Sequence, residues 1–78
     1  MEGLERLYVG QAIERSHLEA LFQKLRYRRR DFVSAPGEYA DRGATFDVYP
    51  LTYRAPIRLG FELDTIISIR DFSPHEGK

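Results

Sequence analysis

A chain of 78 residues can form at most one domain, and at this size it buries only about 60% of the surface that it exposes when unfolded. Hydrophobic residues make up 42% of the chain and charged residues 31%, which is typical of a soluble globular domain and excludes a disordered chain. A formal net charge of zero argues against a protein that binds DNA mainly through its phosphates, and the absence of cysteine excludes disulfides and thiolate zinc sites.

The N-terminal residues show no targeting signal. They lack the basic start and apolar run of a signal peptide, and no apolar segment approaches membrane-spanning length. We therefore expect a cytoplasmic protein without a membrane partner. The abrupt start, Met-Glu-Gly, favours a fragment or a truncated reading frame. Residues 4–9 form an apolar-rich run that ends at Gly10, which predicts a strand and a turn.

A helix is predicted next. Its apolar residues recur at spacings of three and four and therefore share one face: Leu18, Leu21, Phe22 and Leu25. Ser16 is the predicted N-cap, because its hydroxyl can accept hydrogen bonds from free backbone N–H groups of the first turn. Glu19, three residues later, would reach back to complete a capping box. The helix should begin near His17.

Strand patterns occupy the remaining chain, at residues 27–33, 39–49, 56–63 and 66–72. Pro36 and Gly37 form a turn between the first two, and residues 57–64 alternate strictly between apolar and polar. The sequence predicts a single α+β domain over residues 1–78. Its mostly antiparallel, twisted sheet of about five strands carries one amphipathic helix on one face, in the order β-α-β-β-β-β. The polar tail, residues 73–78, should fray.

The histidines, glycines and carboxylates of the chain do not occur at the spacings of a catalytic, metal-binding or phosphate-binding site. The two histidines, His17 and His75, have no second ligand at the spacing of a metal site. No glycine is followed by the helix start that a phosphate-binding loop needs, and no acid–base pair can be defended. We expect no enzymatic activity, no metal and no cofactor.

An arginine-rich segment at residues 28–30 is the remaining feature. If the Pro36-Gly37 turn closes a hairpin, Asp31 lies opposite Arg42, and Arg29 lies diagonally on the same face. One acid would then be shared by two arginines, which leaves a guanidinium available for a carboxylate or phosphate. The alternative is that the arginines solvate an edge strand and prevent aggregation.

Gly43 explains why the strand at residues 39–49 is irregular in its first half. Perfect alternation would place Arg42 on the same face as the apolar Phe46 and Val48. A β-bulge at Gly43 would reset the alternation, so that Arg42 joins Thr45 and Asp47 on the polar side while Phe46 and Val48 stay buried.

Several segments resemble a known family in their order and spacing. They are Val-Gly-Gln (9–11), Glu-Arg-Ser-His-Leu (14–18), Tyr-Arg-Arg-Arg-Asp (27–31), Pro-Gly-Glu-Tyr-Ala-Asp-Arg-Gly (36–43), Asp-Val-Tyr-Pro-Leu (47–51), Pro-Ile-Arg-Leu (56–59) and Asp-Thr-Ile-Ile-Ser-Ile-Arg-Asp-Phe (64–72). Together they resemble the UvrA-binding domain that transcription-repair coupling factors share with the excision-repair protein UvrB. Gly-Glu-Tyr-Ala (37–40) is more similar to the coupling-factor version.

The resemblance implies a docking module of bacterial nucleotide excision repair whose partner is UvrA, the damage-recognition ATPase. It implies that Arg29 and Arg42 contact UvrA, with Asp31, Glu38 and Tyr39 as second-choice neighbours. The ATPase motifs of the family are not in this sequence, so we expect it to bind a partner without hydrolysing ATP. We also expect the isolated domain to be a monomer.

The alternative function is a small nucleic-acid-binding module. Arg28, Arg29 and Arg30 would meet phosphates while Tyr27 or Tyr39 stacks on bases. The balanced net charge argues against it.

Overall fold

A computed structural model describes residues 7–73 and contains one helix and five strands within them. The elements, in chain order, are α1 (Arg15–Lys24), β1 (Arg28–Arg29), β2 (Glu38–Asp41), β3 (Thr45–Tyr49), β4 (Ile57–Glu62) and β5 (Thr65–Asp71). The strands form one sheet in the order β1-β2-β3-β4-β5. All neighbours are antiparallel except β1 and β2, which are parallel. The predicted α+β fold is confirmed.

The sheet is a run of hairpins after β2. In the β3–β4 pair, Asp47 lies opposite Arg58, and in the β4–β5 pair Arg58 lies opposite Arg70. The register of β4 and β5 shifts between Gly60 and Phe61, which accommodates one extra residue in β5. Leu59, Gly60 and Phe61 are all buried, so the predicted alternation of a buried and a wet face is incomplete in β4.

The helix begins earlier than predicted. Glu14 is the N-cap residue and makes no side-chain capping bond, and Ser16 lies inside the first turn. The prediction of Ser16 as N-cap with a capping box was therefore wrong. Its partner residue, Glu19, points instead towards the sheet and accepts a hydrogen bond from Tyr39. This contact with the sheet competes with the local cap.

The core lies between α1 and one face of the sheet. Leu18 and Phe22, from the predicted apolar face of the helix, are fully buried. Phe22, Tyr39 and Phe46 stack on one another, with the Tyr39 and Phe46 rings 5.6 Å apart and tilted by 10°. Aromatic rings bury large apolar areas and gain from offset stacking, so this stack anchors the helix over β2 and β3.

The predicted hairpin between residues 27–33 and 39–49 was wrong. Only Arg28 and Arg29 form a strand there, and they pair with Glu38 and Tyr39 in parallel. The N–H of Arg28 donates to the carbonyl of Gly37. Gly37 does lie in the predicted turn, with a φ of +89°, but that turn leads into β2 without reversing the chain onto β1.

Gly43 is a turn residue instead of a bulge. The predicted strand at residues 39–49 is two strands, β2 and β3, joined by a turn in which Gly43 has a φ of +84°. The N–H of Arg42 donates to the carbonyl of Thr45 across this turn. A positive φ favours glycine, so the residue is needed here for the hairpin connection. Phe46 and Val48 are buried, as predicted.

The segment before the helix crosses the outer edge of β5. Ala12 forms an isolated antiparallel bridge with Thr65, and Gly10 donates its N–H to the carbonyl of Ile66. Of the predicted strand at residues 4–9, only residues 7–9 are described, and they do not belong to a strand. The predicted frayed tail lies, apart from residue 73, outside the described residues. Within residues 7–73, no helix is long and apolar enough to cross a membrane.

Candidate functional site

The face of the sheet opposite α1, called the open face below, carries most of the charged strand residues. Strand pairing and the alternation along each strand place six of them on it: Arg28, Glu38, Asp47, Arg58, Glu62 and Arg70. Arg30 contacts Glu38, and Arg42 contacts Asp47, so both also reach this face. Five arginines therefore lie with three carboxylates on a surface that the helix leaves uncovered.

Asp47 is the centre of the open face. Its side chain is 1% exposed, although it lies on the face without a helix, because two arginines cover it. Arg58 donates from Nε to Oδ1 at 2.8 Å and from Nη2 to Oδ2 at 3.0 Å. Nη1 of Arg42 lies 3.7 Å from Oδ2. A paired donor fork is a strong and directional form of carboxylate recognition, so the plane of the Arg58 guanidinium is fixed.

Each arginine of this group also stacks on an aromatic ring. The guanidinium carbon of Arg42 lies 4.5 Å from the centre of the Phe32 ring, and that of Arg58 lies 4.4 Å from the centre of the Phe72 ring. We call Asp47, Arg42, Arg58, Phe32 and Phe72 the Asp47 cluster. Cation–π contacts add to the ion pairs, and hydrogen bonding to Asp47 raises the pKa of Arg58 above its ordinary value.

Glu38 holds a loop instead of an arginine pair. Its Oε1 accepts hydrogen bonds from the backbone N–H groups of Ser34 and Ala35, at 2.8 and 3.1 Å, and Arg30 lies 3.6 Å from its Oε2. Burial pushes the pKa of Glu38 upwards, but the backbone donors and Arg30 outweigh burial and hold that pKa below its ordinary value. The carboxylate therefore stays charged and fixes the segment before β2.

A second group of polar residues joins the helix to the sheet. Glu19, on α1, accepts hydrogen bonds from Arg29 and from the hydroxyl of Tyr39. The same hydroxyl accepts a hydrogen bond from Nε2 of Gln23 at 3.2 Å. Burial, the largest cause, raises the pKa of Tyr39 above its ordinary value. We call Glu19, Arg29, Tyr39 and Gln23 the Glu19 cluster.

The two arginines predicted to share one face lie on opposite faces. Arg29 pairs in register with Tyr39, whose ring packs under the helix, whereas Arg42 contacts Asp47 on the open face. Asp31, predicted to lie between them, is exposed and pairs with neither arginine within residues 7–73. Arg29 pairs with Glu19 and Arg42 pairs with Asp47. The prediction that the two arginines share Asp31 was therefore wrong.

Sequence reasoning missed Asp47, Arg58, Phe32 and Phe72 as members of one group. The sequence assigned Arg58 and Asp47 each to the polar face of a strand, but it did not show that they lie opposite each other. Their pairing depends on the register between β3 and β4, and residues 50–56 that connect these strands give no turn signal that fixes it. A search for opposite charges across candidate registers could have found this pair.

The tyrosines proposed to stack on nucleic-acid bases are in the core. Tyr27 is 7% exposed and Tyr39 is fully buried, and both rings contact the ring of Phe22. Neither ring is available for stacking on a base. The nucleic-acid alternative therefore loses both of the residues that it assigned to base stacking.

Comparison with known proteins finds one family and two groups of relatives. A family model described as the UvrB interaction domain matches residues 6–78. The chain is 40% identical to the transcription-repair-coupling factor of Bacillus subtilis, 41% identical to that of Escherichia coli, and 38% identical to the UvrABC system protein B of Halobacterium salinarum. These alignments cover 86%, 81% and 92% of this chain, but only 6%, 6% and 10% of the relatives' lengths.

Proposed function

Because the chain belongs to the UvrB interaction domain family, we propose that it is a docking module of nucleotide excision repair that binds UvrA. The single observation that supports a docking surface is the Asp47 cluster on the open face. Here two arginines are held in place and still expose 31% of each side chain. The module would act by binding alone.

The charge of the open face favours an acidic partner. Five arginines against three carboxylates give this side a positive excess, although the whole chain is neutral. Charge complementarity across an interface speeds association and selects the partner. We propose that Arg42 and its neighbours contact an acidic patch of UvrA, as the family resemblance implies.

Arg29 occupies a different position in this proposal. It lies on β1, at the edge of the sheet, and its side chain is 56% exposed despite its ion pair with Glu19. A partner that covers the open face and continues around the β1 edge would contact both Arg42 and Arg29. Arg29 is then a rim contact, and such contacts contribute less than central ones.

The three weaker candidates, Asp31, Glu38 and Tyr39, would contribute to UvrA binding in different ways, because they differ in exposure. Asp31 is exposed beside the β1 edge and could contact the partner directly. Glu38 is mostly buried and acts by holding the loop and Arg30. Tyr39 is buried and acts only through the Glu19 cluster, which holds Arg29.

Binding of the purified chain to UvrA of Bacillus subtilis, measured by calorimetry, tests the proposal. Arg42→Ala should weaken binding by on the order of 1–3 kcal/mol, and Arg29→Ala by less. Lys24→Ala, which removes a charge from the last turn of α1, is the matched control and should leave affinity unchanged. Binding should weaken as salt is raised.

Two results would count against the proposal. No measurable binding of the wild-type chain would remove UvrA as the partner. Equal losses for Arg42→Ala and Lys24→Ala would keep UvrA but move the docking surface away from the open face.

A further inference from the structure

Asp47 combines two properties that rarely occur together on a binding surface. It carries a negative charge in the middle of a positive face, and it is almost completely buried. Burying a carboxylate is unfavourable unless charged donors pair with it closely. Here Arg58 supplies two hydrogen bonds, and Arg42 supplies a third ionic contact from the neighbouring hairpin turn.

The position of Asp47 determines where both arginines lie. It is in the centre of the sheet, on β3, with Arg58 directly opposite on β4 and Arg42 just beyond the end of β2. A free arginine side chain samples many rotamers and loses that freedom when it binds. An arginine that is already held by a carboxylate and an aromatic ring has lost most of it before the partner arrives.

We propose that Asp47 is a positioning residue, and this proposal rests on the proposed docking of UvrA. Asp47 holds Arg42 and Arg58 in the arrangement that an acidic partner recognises. Asp47 does not touch the partner. It strengthens binding although its charge has the same sign as that of the partner.

This proposal and simple electrostatics predict opposite results for Asp47→Asn. The substitution keeps the shape of the side chain and makes the open face more positive by one charge. If only charge mattered, UvrA would bind more tightly. If Asp47 positions the arginines, UvrA should bind about tenfold more weakly, since the amide accepts fewer hydrogen bonds and its NH2 group faces a guanidinium.

Calorimetric titration of UvrA of Bacillus subtilis into the folded variants makes this comparison. The matched control is Asp64→Asn, which removes the same charge from the exposed β4–β5 turn and should bind within about twofold of wild type. Circular dichroism and thermal unfolding establish that each variant is folded. Equal or tighter binding by folded Asp47→Asn overturns the proposal and leaves the docking function standing.

A second measurement separates positioning from a general effect on the fold. In an Arg42→Ala background, Asp47→Asn should cost about threefold less affinity than in the wild-type background, because one of the arginines that it positions is gone. A loss of the same size in both backgrounds shows that Asp47 acts through the fold and overturns the proposal. No binding by wild type removes the docking function and this proposal together.

A third test uses only the wild-type chain, so it does not depend on whether the Asp47→Asn variant folds. Nitrogen-15 relaxation of arginine side chains should give the Nε–H group of Arg58 an order parameter near the rigid-backbone value of about 0.85. The exposed Arg54 is the control and should fall below about 0.6. Equal mobility of the two side chains contradicts the proposal.

Discussion

Two carboxylates organise polar groups in this domain, one on each side of the sheet. Asp47 is 1% exposed, lies within a central strand and holds two arginines whose side chains remain on the open face. Glu19 is 20% exposed, lies on the helix and holds one arginine and one tyrosine hydroxyl. The Asp47 cluster therefore lies within the sheet and its hairpins, whereas the Glu19 cluster joins the helix to the sheet.

This difference separates a docking surface from a structural contact. Arg42 and Arg58 are held by a residue that a partner cannot reach, so they can contact that partner without giving up Asp47. Arg29 is held by a more exposed carboxylate, so an acidic partner would compete with Glu19 for it. The comparison predicts that the two clusters differ in stability, in pH response and in their contribution to binding.

The largest expected effect is on stability. Asp47→Ala should lower the free energy of unfolding by about 2–3 kcal/mol, since two arginines lose a buried, doubly hydrogen-bonded partner but can still reach water. Glu19→Ala should cost about 1 kcal/mol, because its cluster is more exposed. Urea unfolding followed by circular dichroism measures both. Equal losses would break the comparison between the clusters.

The Tyr39 hydroxyl gives the second prediction. Tyr39→Phe keeps the ring in the aromatic stack and removes the hydrogen bonds to Glu19 and Gln23, which should cost about 1 kcal/mol. Tyr49→Phe is the control, since its hydroxyl donates to the carbonyl of Arg54 at an exposed site, and it should cost less.

The pH dependence of the Tyr39→Phe effect follows from the raised pKa of Tyr39. The neutral hydroxyl favours the folded state, so its contribution is complete below the unfolded pKa of about 10 and is lost as pH rises through the folded value. The stability difference between wild type and Tyr39→Phe should therefore shrink above about pH 10. A difference that stays constant to higher pH would show that the hydroxyl does not ionise with unfolding.

Local patterns predicted the helix and the last two strands. The spacing of Leu18 and Phe22 and the alternation of residues 57–63 are set by the element itself, so they survive whatever the tertiary fold does. The pairing of strands is not local. Arg28 and Arg29 are both exposed and show no alternation, so nothing in them indicates whether β1 is parallel or antiparallel to β2.

The candidate site was predicted only in part for the same reason. Arg42 was assigned to the polar side of its strand and does lie there, but through a turn at Gly43 instead of a bulge. Both interpretations use the freedom of glycine at positive φ, and the sequence does not separate them. The Asp47 cluster combines residues from four segments of the chain, and only the register of the folded sheet brings them together.

The smallest predicted effect concerns Glu38, the other buried carboxylate of the open face, and it sharpens the comparison. Glu38 is mostly buried, as Asp47 is, but its partners are mainly backbone N–H groups of the preceding loop. Its pKa is lowered, so ionised Glu38 stabilises the fold above its ordinary pKa of about 4.3, and this contribution is lost as pH falls through the folded value.

Glu38→Gln should therefore be less stable than wild type at pH 7, by less than about 1 kcal/mol, and this difference should shrink as pH falls below about 4.3. Glu62→Gln, at an exposed position at the end of β4, is the control and should show no such difference. Urea unfolding at a series of pH values measures both variants. Glu38→Gln should weaken UvrA binding less than Asp47→Asn does. An equal loss would show that any buried carboxylate of the open face contributes to UvrA binding. The position of Asp47 between two arginines would then not explain the docking surface.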